Sequence, residues 1–186
     1  TKNIIVATGG RPLVPPFPGL DKIKYLTSDT IWNLRKLPER FLVLGGGPIG
    51  CELAQCFARF GSKVTIVEMA PQILIREEDE VVKFTSDKFK NEGIELLTSH
   101  KAKEFINEDG KYALICEKDG KEVKVPFDQV LIALGRRATT QGFGLEELGI
   151  ELSPRGTVEA DPYLRTNYPN IFVCGDFVIV FNVFFL

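Results

Sequence analysis

The sequence predicts an α/β fold, in which a parallel β-sheet carries helices on both faces and an antiparallel β-meander interrupts the strand–helix order. Two observations lead to this class. Apolar, β-branched runs alternate with helix-like segments over residues 41–97, which indicates a β-α-β-α-β order with right-handed crossovers. Residues 101–128 instead hold short alternating runs separated by NEDG and DG, which indicates hairpins with tight turns.

Three short segments precede this pattern. NIIVATG (3–9) is an apolar run that stops at glycines, which predicts a buried parallel strand. RPLVPPFPG (11–19) holds four prolines, which predicts an extended connector. SDTIWNL (28–34) begins with good N-cap residues and predicts a short helix.

The central elements follow in a regular order. Strands are predicted at 41–45, 63–68 and 93–97, and the buried runs QVLIALG (129–135) and NIFVCGD (170–176) predict two more. A helix with Pro48 in its first turn is predicted to stop at Gly61. A second, with an acidic first turn, is predicted over 77–91.

Composition excludes several classes of function. The 186 residues are 44% hydrophobic and 26% charged, as in an ordinary globular protein, and a net charge of −2 argues against nucleic acid as a partner. No apolar run is long enough to span a membrane, and the start has no signal pattern, so we expect a cytoplasmic protein. Four scattered cysteines and one histidine suit a reducing compartment and give no metal-ligand spacing.

A G-x-G-x-x-G motif lies between the predicted strand at 41–45 and the helix that follows it. Gly45 would make the tight turn, Gly47 would let the backbone approach a diphosphate, and Gly50 would let the helix pack close to the strand. The helix N-terminus supplies free N–H groups and a positive dipole end. This context is that of a Rossmann-like dinucleotide-binding fold, with a predicted site formed by Gly45, Gly46, Gly47, Pro48, Ile49 and Gly50.

Glu68 ends the next predicted strand, 18 residues after Gly50. At that position a carboxylate can accept hydrogen bonds from both ribose hydroxyls of an adenosine and repels a 2′-phosphate. No arginine follows directly, since Arg76 is eight residues further on. The sequence therefore predicts a site that prefers NAD(H) to NADP.

Cys51 and Cys56 have the C-x4-C spacing of a redox disulfide, but both lie on the predicted helix. Five residues along an α-helix separate their Cα atoms by roughly 8–9 Å, and a disulfide needs less than about 7 Å. We therefore expect two small packing residues at these positions, and core packing for Cys116 and Cys174 as well.

Taken together, four segments resemble the pyridine nucleotide–disulfide oxidoreductases, the family of dihydrolipoamide dehydrogenase, glutathione reductase and mercuric reductase. They are ATGGRPLVPPFPGL (7–20), LVLGGGPIGCELAQCFARFGSKVTIVE (42–68), VLIALGRRATT (130–140) and ADPYLRTNYPNIFVCGD (160–176). RPLVPP and IGCELAQ favour the mercuric-reductase-like branch. The resemblance implies a FAD/NAD(P)-binding fold. It also implies an oxidoreductase that passes a hydride from NADH to FAD and then reduces a disulfide or similar acceptor.

The resemblance also implies roles for single residues. The glycine turn and its acidic partner would hold NAD, with Gly135 near the nicotinamide. Glu52 would lie beside the flavin as a catalytic candidate, or else only complement the helix dipole. Thr8, Gly9 and Asp176 would approach FAD, with ordinary strand-end turn chemistry as the alternative.

The same resemblance implies three regions: 1–25 as the end of a FAD domain, 26–148 as the NAD-binding domain, and 149–186 as the return into the FAD domain. The tail 177–186, FVIVFNVFFL, departs from the family pattern. The family's redox cysteines, flavin glycine motif and interface domain with its His-Glu base would lie outside these regions. We therefore expect this chain to bind NADH without retaining FAD or reducing disulfides, whereas the parent protein would be a homodimer.

Two alternatives stay open at this point. One is a stand-alone NAD-binding or sensing module, against which the strands at 3–9 and 170–176 count, because they have no obvious sheet neighbours. The other is a self-contained dehydrogenase of the short-chain type, which needs a Tyr-x3-Lys pair. None of the four tyrosines has a lysine four residues on: Tyr25, Tyr112, Tyr163 and Tyr168.

Overall fold

The computed structural model of the chain describes residues 1–175. Within these residues, two α-helices, α1 (Pro48–Phe60) and α2 (Asp79–Asn91), lie among twelve β-strands. The strands are β1 (Ile4–Val6), β2 (Gly10–Pro12), β3 (Tyr25–Leu26), β4 (Arg40–Leu44), β5 (Lys63–Val67), β6 (Glu95–Leu97), β7 (Lys101–Glu108), β8 (Lys111–Lys118), β9 (Lys121–Phe127), β10 (Gln129–Ile132), β11 (Arg136–Ala138) and β12 (Ile171–Val173). Asp176 and the tail 177–186, both named in the sequence predictions, lie outside the described residues.

A five-stranded parallel sheet forms the centre of the larger part of the chain. Its strand order is β3-β10-β4-β5-β6, and β4 pairs with β5 and β10 in parallel register. Leu44 therefore lies opposite both Val67 and Ile132, so the segments that follow these three strands leave the sheet at one edge. The predicted α/β class with a parallel sheet and an antiparallel meander is confirmed.

The two faces of this sheet are covered by different structures. Phe41 and Val43 of β4 pack in a core with residues of both helices, among them Phe57 and Phe89. Leu42 and Leu44, which point to the opposite face, pack instead with residues of the meander β7-β8-β9, among them Phe105, Leu114 and Phe127. The expectation of helices on both faces is therefore wrong. On this second face, the apolar side of the meander covers the sheet in place of a helical layer.

Several local predictions also need correction. The segment 28–34 forms only a 3-10 turn at Ile31–Asn33, because Ile31 is its one buried residue and gives a longer helix no apolar face to pack. The connector 11–19 begins inside β2, which pairs with β11, and the edge strand β3 was not predicted. The outer strands β1 and β12 are shorter than predicted, and they pair with each other in parallel.

The described residues separate into two compact units, residues 12–135 and residues 1–11 with 136–175. Packing alone defines these two units, and the predicted division into FAD and NAD-binding regions, with boundaries at 25/26 and 148/149, stays a prediction. Leu20 and Ile23 are buried in the core of the first unit, together with Phe105 and Phe127. Leu145 instead joins the core of the second unit, which contains Val6, Ile150, Val158, Ile171 and Val173.

Candidate nucleotide-binding site

The turn between β4 and α1 is built on two close backbone contacts. Gly45 has a φ of 110°, and a Cβ there would lie 2.4 Å from the carbonyl oxygen of Ala133. A Cβ on Gly50 would lie 2.1 Å from the carbonyl oxygen of Gly45. Real Cβ atoms do not approach backbone oxygen this closely, so the turn needs glycine at both positions. These are the tight turn and the close helix–strand approach that the motif predicts.

Three backbone donors at this turn have no partner. The N–H groups of Gly47, Ile49 and Gly50 make no hydrogen bond to any other residue in the described part of the chain, and Pro48 has no N–H to offer. All three precede the first helical bond, from the Cys51 N–H to the Gly47 carbonyl oxygen at 2.9 Å. They lie at the positive end of the 13-residue helix α1, which favours an anion.

The surface at Gly47 is open. A Cβ there would meet no atom within 4 Å, so neither side chain nor backbone from residues 1–175 fills this space. Helix α1 begins at Pro48 and ends at the left-handed Gly61, and its buried residues Ala54 and Phe57 pack in the core on one face of the sheet. The geometry combines a fixed helix N-terminus, free donors and unobstructed space, which together suit a diphosphate.

Glu68 lies directly after β5 and reaches the glycine turn. Its Oε2 accepts a hydrogen bond from the Gly46 N–H at 2.6 Å, and its Oε1 accepts one from the Ala70 N–H at 2.7 Å. The side chain is half-buried. A carboxylate has about four acceptor sites, so two remain for ribose hydroxyl groups.

A second loop, residues 69–78, also contacts the glycine turn, and the sequence interpretation did not identify it. The Leu74 N–H donates to the Gly46 carbonyl oxygen at 2.8 Å, and the Cys51 thiol donates to the same oxygen at 3.3 Å. Leu74 adopts a left-handed φ of 51° to make this contact. Leucine carries no sequence signal for that conformation, so the contact was not predictable from local pattern.

The spacing of Cys51 and Cys56 on one helix predicts that they do not form a disulfide. All four are unpaired thiols. Burial raises the pKa of the Cys51 thiol to about 12 and that of the Cys116 thiol to about 11, so neither is an accessible nucleophile. The packing assignment is wrong for Cys56 and Cys174, however, because both are exposed.

The remaining predicted residues fall into two groups. Glu52 is exposed on α1, just beyond its first turn, and Gly135 is exposed shortly after β10, at the sheet edge where β4 also ends. Thr8 and Gly9 belong to the other unit. There the Thr8 hydroxyl donates to the Thr139 carbonyl oxygen at 2.8 Å, and the Thr139 N–H donates to the Gly9 carbonyl oxygen at 2.9 Å.

Two further features are absent from residues 1–175. No three His, Cys, Asp or Glu side chains come together there in a group that could hold a metal ion. None of the helices described in that range has the length and apolar character needed to cross a membrane.

Comparisons with known proteins agree on one family. The family model described as pyridine nucleotide-disulphide oxidoreductase matches residues 1–183. A mercuric reductase of Streptomyces lividans is 41% identical over 176 residues, which cover 94% of this chain and 36% of that protein. A dihydrolipoyl dehydrogenase of Acholeplasma laidlawii is 38% identical over 180 residues, which cover 95% of this chain and 52% of that protein.

The similarity extends to solved structures. The Cu(II) complex of the HOCl-induced flavoprotein disulfide reductase RclA from Escherichia coli superposes with a TM-score of 0.84 at 31% identity, over 94% of this chain and 40% of that one. The chain spans between 36% and 52% of the length of the two curated relatives named above.

Proposed function

The chain belongs to the pyridine nucleotide-disulphide oxidoreductase family, and from that premise we propose that it is the NAD(H)-binding portion of a flavin-dependent oxidoreductase. In the parent reaction NADH would reduce FAD, and FAD would reduce a disulfide or a similar acceptor. When bound, the nicotinamide supplies the hydride, and the share of this chain is to bind and orient the nucleotide.

One observation carries the proposal. At the N-terminus of α1, the N–H groups of Gly47, Ile49 and Gly50 have no partner among residues 1–175, and no atom of those residues covers the surface at Gly47. A diphosphate accepts hydrogen bonds from such donors and is favoured by the helix dipole. The glycine turn would therefore hold the pyrophosphate, together with Gly45, Gly46 and Pro48 as its framework.

The carboxylate of Glu68 supports a preference for NAD(H). Its two free acceptor sites suit the 2′- and 3′-hydroxyl groups of the adenosine ribose, and its charge repels the 2′-phosphate of NADP. We further propose that Gly135 lies near the nicotinamide and that Glu52 lies beside the flavin. Thr8, Gly9 and Asp176 would approach FAD in the parent protein.

The isolated 186-residue chain should bind NADH without disulfide turnover. Two of its four cysteines, Cys51 and Cys116, are buried, and burial raises the pKa of their thiols to about 12 and about 11, so neither is an accessible nucleophile for a disulfide substrate. Reduction of lipoamide or glutathione disulfide by the purified chain would contradict this part of the proposal.

The direct experiment is a fluorescence titration of the purified chain with NADH and with NADPH, after its visible absorbance has been recorded for bound flavin. We expect saturable NADH binding, weaker NADPH binding and no flavin absorbance. Glu68→Ala should weaken NADH binding by roughly 1–3 kcal/mol. Equal affinities for the two nucleotides would remove Glu68 from its assigned role, and no binding of either would overturn the proposal.

A further inference from the structure

We infer that Glu68 is a positioning residue for the glycine turn, in addition to any contact that it makes with the ribose. Its carboxylate would hold the turn in the geometry that a diphosphate needs. The inference rests on the proposed function, because it concerns the same nucleotide site, but it assigns the carboxylate a task that exists before any nucleotide binds.

The first support is that one carboxylate joins two turns. Oε2 of Glu68 accepts from the Gly46 N–H at 2.6 Å and Oε1 accepts from the Ala70 N–H at 2.7 Å, so both oxygens are engaged by backbone donors. These distances are short for an N–H···O contact, as expected when the acceptor is ionised. The turn after β4 is thereby tied to the turn after β5.

The second support is that the peptide groups on both sides of Gly46 are fixed. Its N–H is held by Glu68, and its carbonyl oxygen accepts from the Leu74 N–H at 2.8 Å. A Cβ on Gly46 would lie 2.9 Å from Cγ2 of Ile73 and 3.2 Å from Cβ of Glu68, so the Cα is also closely packed. Gly46 is therefore held at both of its polar backbone groups, and a side chain on its Cα would have to displace its neighbours.

The consequence for binding follows from the planar peptide bond. The Gly46 carbonyl and the Gly47 N–H belong to one trans peptide unit, so they point in opposite directions. Holding the carbonyl toward Leu74 therefore aims the Gly47 N–H toward the open side of the turn, where the diphosphate would bind. Loss of the Glu68 contact would free the peptide unit before Gly46, so that the Leu74 contact alone would have to keep the Gly47 N–H in this direction.

Glu68→Gln separates positioning from ribose contact. A glutamine can still exchange hydrogen bonds with ribose hydroxyls, but its NH2 group would face one of the two backbone N–H donors, which leaves two donors opposed. If Glu68 acts on the ribose alone, the variant should weaken NADH and adenosine by the same factor. If only the charge of Glu68 matters, the affinity for NADH should fall less than the affinity for adenosine, because removal of a negative charge favours a bound anion.

The experiment measures NADH and adenosine binding to the wild-type chain, Glu68→Gln and the control Glu77→Gln. Glu77 lies in the same loop, and its exposed side chain has no partner within residues 1–175, so its replacement removes the same charge only. We expect E68Q to weaken NADH at least about tenfold more than it weakens adenosine, and E77Q to change neither by more than about twofold. Equal or smaller losses for NADH in E68Q would overturn the inference.

If the variant does not fold, amide hydrogen exchange of the wild-type chain tests whether Glu68 holds the glycine turn. Without nucleotide, the amides of Gly46 and Ala70 should exchange with solvent slowly, whereas the unpaired Gly47 amide should exchange fast. Equally fast exchange at all three would overturn the inference. Failure of NADH to bind at all would instead overturn the proposed function, and the exchange measurement would still decide whether Glu68 holds the turn.

Discussion

The β4–α1 turn and the hairpin turn between β7 and β8 both contain glycine, but for different physical reasons. In the hairpin, Asp109 and Gly110 have φ values of 51° and 82°, as a two-residue turn with two left-handed positions requires. A Cβ on Gly110 would meet nothing within 4 Å. A Cβ on Gly50 would instead lie 2.1 Å from the Gly45 carbonyl oxygen. Conformation explains the glycine in the hairpin, and lack of space explains Gly50.

Gly47 fits neither explanation. Its φ of −74° and ψ of 179° are extended values that any residue adopts, and a Cβ there would meet no atom within 4 Å. Nothing in the nucleotide-free fold therefore requires a glycine at this position. A bound group that approaches the backbone closely does require one, so the contrast identifies the side of the turn that we assign to the diphosphate.

The largest effect is expected for Gly50→Ala. The new methyl group would overlap a backbone oxygen, so the turn must shift, which should lower the free energy of unfolding by about 1–3 kcal/mol and reduce NADH affinity by more than about tenfold. Urea denaturation and NADH titration measure the two quantities. Unchanged NADH affinity in a folded variant would contradict the assigned role of the turn.

Gly47→Ala, the matched substitution three residues earlier, should separate binding from folding. We expect the free energy of unfolding to stay within about 0.5 kcal/mol of the wild type, because the site is open and the backbone is extended. NADH affinity should fall by about tenfold, because the methyl group would occupy the space of the diphosphate. A variant that binds NADH as tightly as the wild type would place the diphosphate elsewhere.

The smallest effect on NADH binding is expected for Gly110→Ala, which should change only the stability of the fold. Left-handed backbone at a residue with a Cβ costs about 1–2 kcal/mol, so the free energy of unfolding should fall by about that amount. NADH affinity should not change, because the hairpin belongs to the meander. A loss of NADH binding comparable to that of Gly47→Ala would remove the distinction between the two turns.

The glycine turn and the hairpin were both predictable because each depends on local chemistry. A G-x-G-x-x-G run between a strand and a helix, and an Asp-Gly pair between alternating runs, fix the backbone within a few residues. The same holds for Glu68, whose position follows from its place at the end of the next strand. The structure brings its carboxylate to the turn with direct contacts to the Gly46 and Ala70 amides.

Features that depend on distant partners were not predictable in the same way. The alternation of Phe105 and Leu114 predicts a half-buried hairpin, but not that this hairpin covers the sheet face formed by Leu42 and Leu44. Likewise, the left-handed Leu74 is held by the Gly46 carbonyl oxygen, 28 positions earlier in the chain, and has no local signal. In both cases the contact that determines the structure joins segments far apart in the sequence, and local sequence patterns carry no information about such contacts.

The most direct test of the account is a nuclear magnetic resonance titration of the ¹⁵N-labelled chain with NADH. The account predicts that the amide signals of Gly47, Ile49 and Gly50 shift together and saturate at the concentration given by the fluorescence titration. The Gly110 and Gly120 amides of the meander turns should not move. Saturable NADH binding that leaves the three amides of the glycine turn unchanged would contradict the central claim, because the diphosphate would then be bound elsewhere.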